Sequence, residues 1–143
     1  MKISTKGRYG LRALMDMAIN AEKECITIKT ISERQNISER YLEQIFSLLR
    51  KGGIIVGRKG AQGGYNLVKK QSEITIGEIL KVLEGENIFI DVNSNEENEL
   101  EDFMNKNLWN NINNLIEDYL ETITLEDLVK DYNKSTENII YYI

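Results

Sequence analysis

The sequence predicts a mainly α-helical chain with one small β-hairpin, and three observations indicate this fold class. Apolar residues recur every three or four positions over much of the chain, which is the spacing of helices with one buried face. Serine or threonine precedes several of these segments and glycine follows some of them, as at the ends of helices. Two short β-type segments flank the glycine-rich stretch GRKGAQGGYNL, from Gly57 to Leu67.

Three helices are predicted before this stretch. The first begins at Ser4 or Thr5 and has one apolar face, formed by Leu11, Leu14, Met15, Ala18 and Ile19. Thr27 is predicted to cap the second helix and Ser38 the third, which ends at Gly52 and Gly53. A helix of about eight residues, a short turn and a longer helix together form a helix-turn-helix.

A hairpin and a fourth helix complete the predicted N-terminal domain, residues 1–85. The segments IIVGRK and GYNLV are its two strands, with residues 61–63 near the tip. Three helices followed by such a hairpin predict a winged helix-turn-helix. The segment TIGEILKVLEG opens with a capping box of Thr75 and Glu78 and closes at Gly85.

The C-terminal half is predicted to hold an acidic linker, residues 86–99, and a dimerisation helix with a tail, residues 100–143. The helix has about twenty residues and an apolar stripe of Leu100, Phe103, Met104, Leu108, Ile112, Leu115, Ile116 and Tyr119. We expect the stripe to pack against a second copy of the chain; the alternative is that it folds back on its own domain. A short last helix, TLEDLVKDY, capped by Thr124, and an apolar end, NIIYYI, are also predicted.

Composition excludes several classes of function. The chain has one cysteine and no histidine, which excludes the usual zinc sites, Ser-His-Asp triads and Cys-His dyads and leaves carboxylate chemistry open. The sequence shows no paired carboxylates in an apolar setting, so we expect no enzyme, metal or cofactor. No apolar run approaches the roughly 18 residues of a membrane span, and the N-terminus lacks the apolar core of a signal peptide. We therefore expect a cytoplasmic protein that does not bind membranes.

The net charge of −5 hides two halves of opposite sign. Residues 1–72 carry 14 Lys and Arg against 6 Asp and Glu, a charge of +8, whereas residues 73–143 carry 4 against 17, a charge of −13. A basic half suits binding of nucleic acid; accidental asymmetry on an ordinary surface is the alternative.

The second helix of a helix-turn-helix enters the major groove of DNA with its N-terminal residues against the bases. The candidate contacts on this helix are Ser38, Glu39, Arg40, Tyr41, Glu43 and Gln44. Candidate phosphate contacts are Lys2, Lys6, Arg8, Arg50 and Lys51. The candidate DNA contacts of the wing are Arg58, Lys59, Gln62 and Tyr65, of which the first three would reach a neighbouring minor groove. Core packing of Tyr41 and simple solvation of the charged side chains remain the alternatives.

The glycine-rich stretch contains neither G-x-x-x-x-G-K-[ST] nor G-x-G-x-x-G, and it leads into a strand. A nucleotide-phosphate site is therefore not expected there. Glycine instead permits positive φ and close backbone approach at a hairpin tip.

Three segments resemble the Rrf2 family of bacterial winged-helix regulators: STKGRYGLRALMDMA, ISERYLEQIFSLLRKGGIIVGRKGAQGGYNL and ITIGEILKVLEG. The resemblance implies a homodimer held by the long helix, which binds a partly palindromic operator on double-stranded DNA with the recognition helix and the wing. Many members ligate an iron–sulfur cluster through three cysteines after the LEG helix. This region has no cysteine here, so no cluster is expected.

The C-terminal TITLEDLV and YYI are similar to the cluster-less branch of that family, which represses cysteine-metabolism genes. That resemblance implies a complex with cysteine synthase (O-acetylserine thiol-lyase) that responds to O-acetylserine. A terminal carboxylate on an apolar residue suits insertion into a pocket lined by backbone donors. The candidate partner-binding tail is therefore Tyr141, Tyr142 and Ile143, and a frayed terminus is the alternative. Cys25 is a candidate redox thiol or an inert one.

Together these observations predict a dimeric, sequence-specific DNA-binding repressor of cysteine or sulfur metabolism genes. Two alternatives stay open. One is a winged-helix module that docks another protein, and the other is a family regulator of different genes with thiol-based sensing at Cys25.

Overall fold

The structure is a computed structural model that describes residues 2–21, 26–59, 63–86, 89–92 and 97–141, with side chains to residue 137. The helices are α1 (Thr5–Asn20), α2 (Ile28–Gln35), α3 (Glu39–Lys51), α4 (Ile76–Glu84), α5 (Glu99–Met104), α6 (Asn110–Glu121) and α7 (Leu125–Tyr141). The strands β1 (Ile55–Arg58) and β2 (Gly64–Leu67) form an antiparallel pair. The predicted fold class is confirmed.

Side-chain caps begin the helices of the N-terminal half where the sequence predicts them. Ser4 Oγ accepts from Gly7 N at 3.1 Å, so Ser4 rather than Thr5 is the cap of α1. Thr27, Ser38 and Thr75 cap α2, α3 and α4 in the same way. These bonds satisfy amides that have no partner within the helix, and each cap therefore fixes the residue at which its helix begins.

The hairpin pairs Ile55 with Leu67 and Gly57 with Tyr65. Tyr65 also forms a bridge to Ile26, with its amide donating to the Ile26 carbonyl at 2.8 Å. Its ring meets Phe46 of α3 edge-on, with 4.9 Å between ring centroids. The wing is thus anchored to the helical core at its base.

One core lies among α1, α3, α4 and the hairpin base, and it includes Leu125 and Val129 of α7. The predicted buried face of α1 is partly wrong. Leu14 and Ala18 are buried, but Leu11, Met15 and Ile19 are only half-buried, while Ala13 and Met17 lie inside. The reason is close packing of α1 on α4, since an added side chain at Gly7 or Gly10 would collide with Glu84 or Leu83. This contact sets the rotation of the helix, so that Ala13, Leu14 and Met17 face the core.

The predicted long helix is continuous from Glu99 to Glu121, with a π-helical turn at Asn105–Trp109 between α5 and α6. The predicted linker, residues 86–99, falls partly outside the described residues, at 87–88 and 93–96. Asn98 Oδ1 caps α5 by accepting from Leu100 N and Glu101 N, both at 3.0 Å. The division of the chain into a winged domain, a linker and a C-terminal segment stays a prediction.

The last helix is longer than predicted, since α7 has 17 residues and continues into the NIIYYI segment. Thr124 and Asp127 cap its start reciprocally, with Asp127 N donating to Thr124 Oγ1 at 3.1 Å and Thr124 N to Asp127 Oδ2 at 3.0 Å. Donation from the Thr124 amide to the carboxylate is the main cause that holds the pKa of Asp127 below its ordinary value. Burial of Leu125 and Val129 docks the first turns on the core, from which the helix propagates. In the part of the chain that is described, no helix is long and apolar enough to cross a membrane.

Candidate nucleic-acid interface

The recognition helix α3 has one face in the core and one in solvent. Leu42, Ile45, Phe46 and Leu49 are buried. The predicted base contacts Ser38, Glu39, Arg40, Glu43 and Gln44 are all exposed, whereas Tyr41 is half-buried. This face therefore presents both hydrogen-bond donors and hydrogen-bond acceptors in the first two turns of the helix, as recognition of base edges requires.

A shallow groove runs along the exposed face of α3, and α1 forms its other side. It is lined by Lys6 of α1 and by Arg40, Glu43, Gln44, Ser47 and Leu48 of α3. Sequence reasoning missed Ser47, although its position three residues after Gln44 on the same helix indicates the same face. Lys6 is thereby brought beside the predicted base contacts.

Arg8 lies elsewhere. It lines a second groove on the other side of α1, with Leu11 and Met15 of that helix and with Leu128 and Tyr132 of α7. Two residues along a helix correspond to a rotation of about 200°, so Lys6 and Arg8 point in nearly opposite directions. The predicted cluster of cations at the start of α1 is therefore divided between two surfaces.

The helix-turn-helix is braced by an ion pair between α1 and α2, in which the carboxylate is buried. Asp16 is buried and accepts from Arg34 Nη2 at 2.6 Å, Arg34 Nε at 2.9 Å and Gln35 Nε2 at 2.9 Å. Arg12 Nη2 donates to the Gln35 carbonyl at 2.6 Å, at the C-terminal end of α2. These four bonds fix the position of α2 against α1 and, through the turn, the start of α3. Sequence reasoning missed them because no local pattern pairs residues that lie 18 to 23 positions apart.

Aromatic contacts support the N-terminal end of α3. The rings of Tyr9 and Tyr41 meet edge to face, with centroids 5.8 Å apart. The guanidinium carbon of Arg12 lies 5.2 Å from the centre of the Tyr9 ring. Tyr41 therefore has a packing role, as its alternative interpretation allowed, and its half-exposure leaves part of the side chain open to solvent.

The wing places Arg58 and Lys59 in solvent. When the side-chain amide of Asn66 is oriented with its oxygen toward Arg58, this oxygen accepts a hydrogen bond from Arg58 Nη2 at 2.9 Å across the hairpin. Lys2 is exposed before α1, and Arg50 and Lys51 are exposed at the end of α3. The candidate residues Gln62, Cys25, Tyr142 and Ile143, and the side chain of Tyr141, lie outside the described residues.

The apolar stripe of the long helix is largely uncovered in the single chain. Leu100 and Leu115 are each 70% exposed, Tyr119 is 65% exposed and Phe103 is 58% exposed. Leu108 is also exposed, and Met104, Ile112 and Ile116 are half-buried. One side of α6 packs on α4, with Leu120 against the core, while Leu115 and Tyr119 of the stripe stay in solvent.

The family model described as "Rrf2: Iron-dependent Transcriptional regulator" matches residues 3–131. The chain belongs to the Rrf2 family. The HTH-type transcriptional regulator CymR of Bacillus subtilis is 38% identical over 143 residues, all of both chains. The expectation of a transcriptional regulator rather than an enzyme is confirmed.

Two solved structures of Rrf2-type regulators have the same fold. CymR (YrzC), described as the global cysteine regulator of B. subtilis, superposes with a TM-score of 0.75 at 38% identity, over 91% of this chain and 97% of that one. The oxidised form of Staphylococcus aureus CymR superposes with a TM-score of 0.71 at 39% identity, over 90% and 96%. Family membership makes DNA a partner of the chain.

The donor set of this chain does not fit the iron in the family's description. Iron–sulfur clusters are held mainly by several thiolates, sometimes with histidine, and the chain has one cysteine and no histidine. Within the described ranges, no group of three or more acidic, cysteine or histidine side chains is arranged to hold a metal ion.

Proposed function

We propose that the protein is a homodimeric repressor of cysteine or sulfur metabolism genes that works without an iron–sulfur cluster. The observation that carries the DNA-binding part is the exposed face of α3, with Lys6 beside Arg40, Glu43 and Gln44. The regulon is supported by full-length similarity to CymR and by the description of that relative as a cysteine regulator.

Each part of the interface has a chemical role in this proposal. Arg40 donates two hydrogen bonds to guanine, Gln44 pairs with adenine, and Glu43 accepts from the amino group of cytosine. Lys6, Arg50 and Lys51 contact phosphates, and Arg58 and Lys59 of the wing enter the adjacent minor groove. The Arg58–Asn66 hydrogen bond reduces the freedom of the Arg58 side chain before DNA binds.

The homodimer is supported by the uncovered stripe of the long helix. The exposed side chains Leu100, Phe103, Leu115 and Tyr119 form an apolar surface that a monomer would leave in water. The groove beside Arg8 offers a complementary surface, with Leu11, Met15 and Leu128 on its floor. Arg8 and Arg12 at this groove match the acidic first turn of α5, which contains Glu99, Glu101 and Asp102.

Control through cysteine synthase is the second part of the proposal. With no cluster to sense, the signal has to come from elsewhere, and the apolar segment Tyr141, Tyr142 and Ile143 is the proposed site of contact with a pocket of the enzyme. O-acetylserine would compete with or loosen that complex and so report the supply of the cysteine precursor.

A regulator with thiol sensing at Cys25 is the alternative, and one contact favours it. Cys25 directly precedes Ile26, whose carbonyl accepts from Tyr65 N at the base of the wing. Oxidation next to this bridge would disturb the wing. The existence of an oxidised form of S. aureus CymR is consistent with this alternative.

Capture and sequencing of genomic DNA fragments on the purified protein, with and without cysteine synthase and O-acetylserine, tests the proposal. We expect fragments upstream of sulfur-metabolism genes that share a paired site with half-sites about one helical turn, or a small multiple, apart. Cysteine synthase should change the recovery of these fragments, and O-acetylserine should reverse the change.

A chain that lacks Ile143 is the matched control. It should recover the same fragments while no longer responding to cysteine synthase, because only the tail is altered. An unchanged response would refute the role of the tail, and fragments without a shared site would refute sequence-specific binding. A change in recovery on peroxide treatment, without cysteine synthase, would favour sensing at Cys25.

A further inference from the structure

A carboxylate holds the N-terminal end of α1. Glu84, the last residue of α4, accepts hydrogen bonds at Oε1 from the Ser4 amide, at 3.2 Å, and from the Ser4 hydroxyl. The Ser4 hydroxyl in turn accepts from Gly7 N at 3.1 Å. Glu84 therefore acts on α1 through the residue that caps it.

Neighbouring structural features allow and favour this contact. A side chain at position 7 would collide with the Glu84 carboxylate, so glycine at that position allows the close approach. A negative charge beside the first turn of a helix is also favoured by the helix dipole. Gly85, with φ of 87°, ends α4 directly after Glu84 and turns the chain away.

The end of α1 that Glu84 holds belongs to the interface. Lys6 lies in the first turn of α1, two residues after Ser4, and lines the groove beside Arg40 and Gln44 of the recognition helix. Lys2 precedes the cap and is exposed. Movement of the first turn of α1 would move both cations relative to α3.

We propose that Glu84 is a positioning residue for DNA binding, which holds the capped first turn of α1 so that Lys6 meets a phosphate while α3 meets the bases. This inference rests on the proposed function. It predicts that removal of Glu84 weakens DNA binding, whereas simple electrostatics predicts that removal strengthens it. An acidic side chain near a DNA-binding surface repels phosphates, so its removal should tighten binding unless the residue is needed for geometry.

The experiment measures fluorescence anisotropy of a duplex that carries the operator recovered by genomic capture, at several salt concentrations. Glu84→Ala should bind about fivefold to tenfold more weakly than the wild type. The slope of log affinity against log salt should be less steep by about 2, because each subunit of the dimer loses one phosphate contact. Ser4→Ala should weaken binding in the same direction, and the double variant should lose little more than Glu84→Ala alone.

Glu86→Ala is the matched control, since Glu86 is exposed two residues away and its removal deletes the same charge. It should bind as tightly as the wild type or slightly more tightly. Circular dichroism reports whether each variant is folded. Glu84→Gln, which keeps the volume and an acceptor oxygen, should bind nearly as tightly as the wild type, and Ser4→Ala replaces Glu84→Ala if the latter does not fold.

Two results would overturn this inference and leave the proposed function intact. In the first, Glu84→Ala binds the operator as tightly as the wild type or more tightly. In the second, Glu84→Ala binds more weakly but with the wild-type salt slope, as a loss of active protein would give. Failure of the wild type to bind any duplex would overturn the proposed function and this inference with it.

Discussion

Asp16 carries a negative charge into the body of the protein. Its side chain is 2% exposed, and its partner Arg34 is 32% exposed, so the pair lies at the edge of the core. A carboxylate in such a place is stable only while its hydrogen bonds are made, and here Arg34 and Gln35 make them. The bonds of the Asp16 carboxylate therefore hold α1 and α2 together.

Replacing Asp16 with Asn should destabilise the protein by about 2–3 kcal/mol, because Arg34 would lose its charged partner in a half-buried place. Urea unfolding followed by circular dichroism measures this change. Lys130→Ala serves as the control. Its bond to Glu126 joins two exposed side chains one helical turn apart, so its loss should leave the free energy of unfolding almost unchanged. Equal effects of the two substitutions would contradict the bracing role of Asp16.

Local contacts could be predicted from the sequence, and contacts between distant residues could not. The caps Ser38 and Thr75 bond to amides three residues ahead, so the sequence around each contains the whole interaction. The bonds Asp16–Arg34 and Ser4–Glu84 span 18 and 80 positions. Only the packing of α1 on its neighbours brings those atoms together.

Among the elements, the recognition helix and the long C-terminal helix differ in what covers them. α3 is strongly two-sided, and its buried face is fully used by the core. α6 contacts α4 along one side, and Thr75 Oγ1 donates to Glu121 Oε2 at 3.0 Å where α6 ends near the start of α4. Leu115 and Tyr119 of its apolar stripe remain exposed in the single chain.

At this scale the sequence predicted the long helix but not the π turn at Asn105–Trp109 or the full length of α7. The spacing of apolar residues shows that a segment is helical. It does not reveal a π-helical turn, because one extra residue shifts that spacing too little to be recognised. The C-terminal extent of α7 depends on docking of Leu125 and Val129 on a core formed by the other half of the chain. That contact is not visible in the local pattern.

Leu115→Glu should shift the protein from dimer to monomer, because it places a charge in the middle of the proposed dimer surface. Sedimentation equilibrium measures the dissociation constant, which should rise by at least tenfold. Asn110→Glu adds the same charge on the opposite, exposed side of the helix and should leave the dimer intact. A wild-type chain that is monomeric at micromolar concentration, or equal effects of both substitutions, would contradict the dimer.

The whole molecule separates its charges along the chain. The +8 of residues 1–72 surrounds the helix-turn-helix and the wing, and the −13 of residues 73–143 belongs mostly to the C-terminal helices. The acidic total therefore does not describe the surface that meets DNA. A dimer would present two basic faces while its acidic segments stay away from the phosphates, which limits binding in other orientations.

The salt dependence of operator binding tests this account most directly. If the dimer neutralises about eight phosphates, log affinity should fall with log salt at a slope near −7. Alanine at Arg40 should weaken binding to the operator more than to unrelated DNA, whereas alanine at Lys51 should weaken both equally. A slope near zero on the best site recovered would contradict the central claim that the basic half of the chain binds DNA.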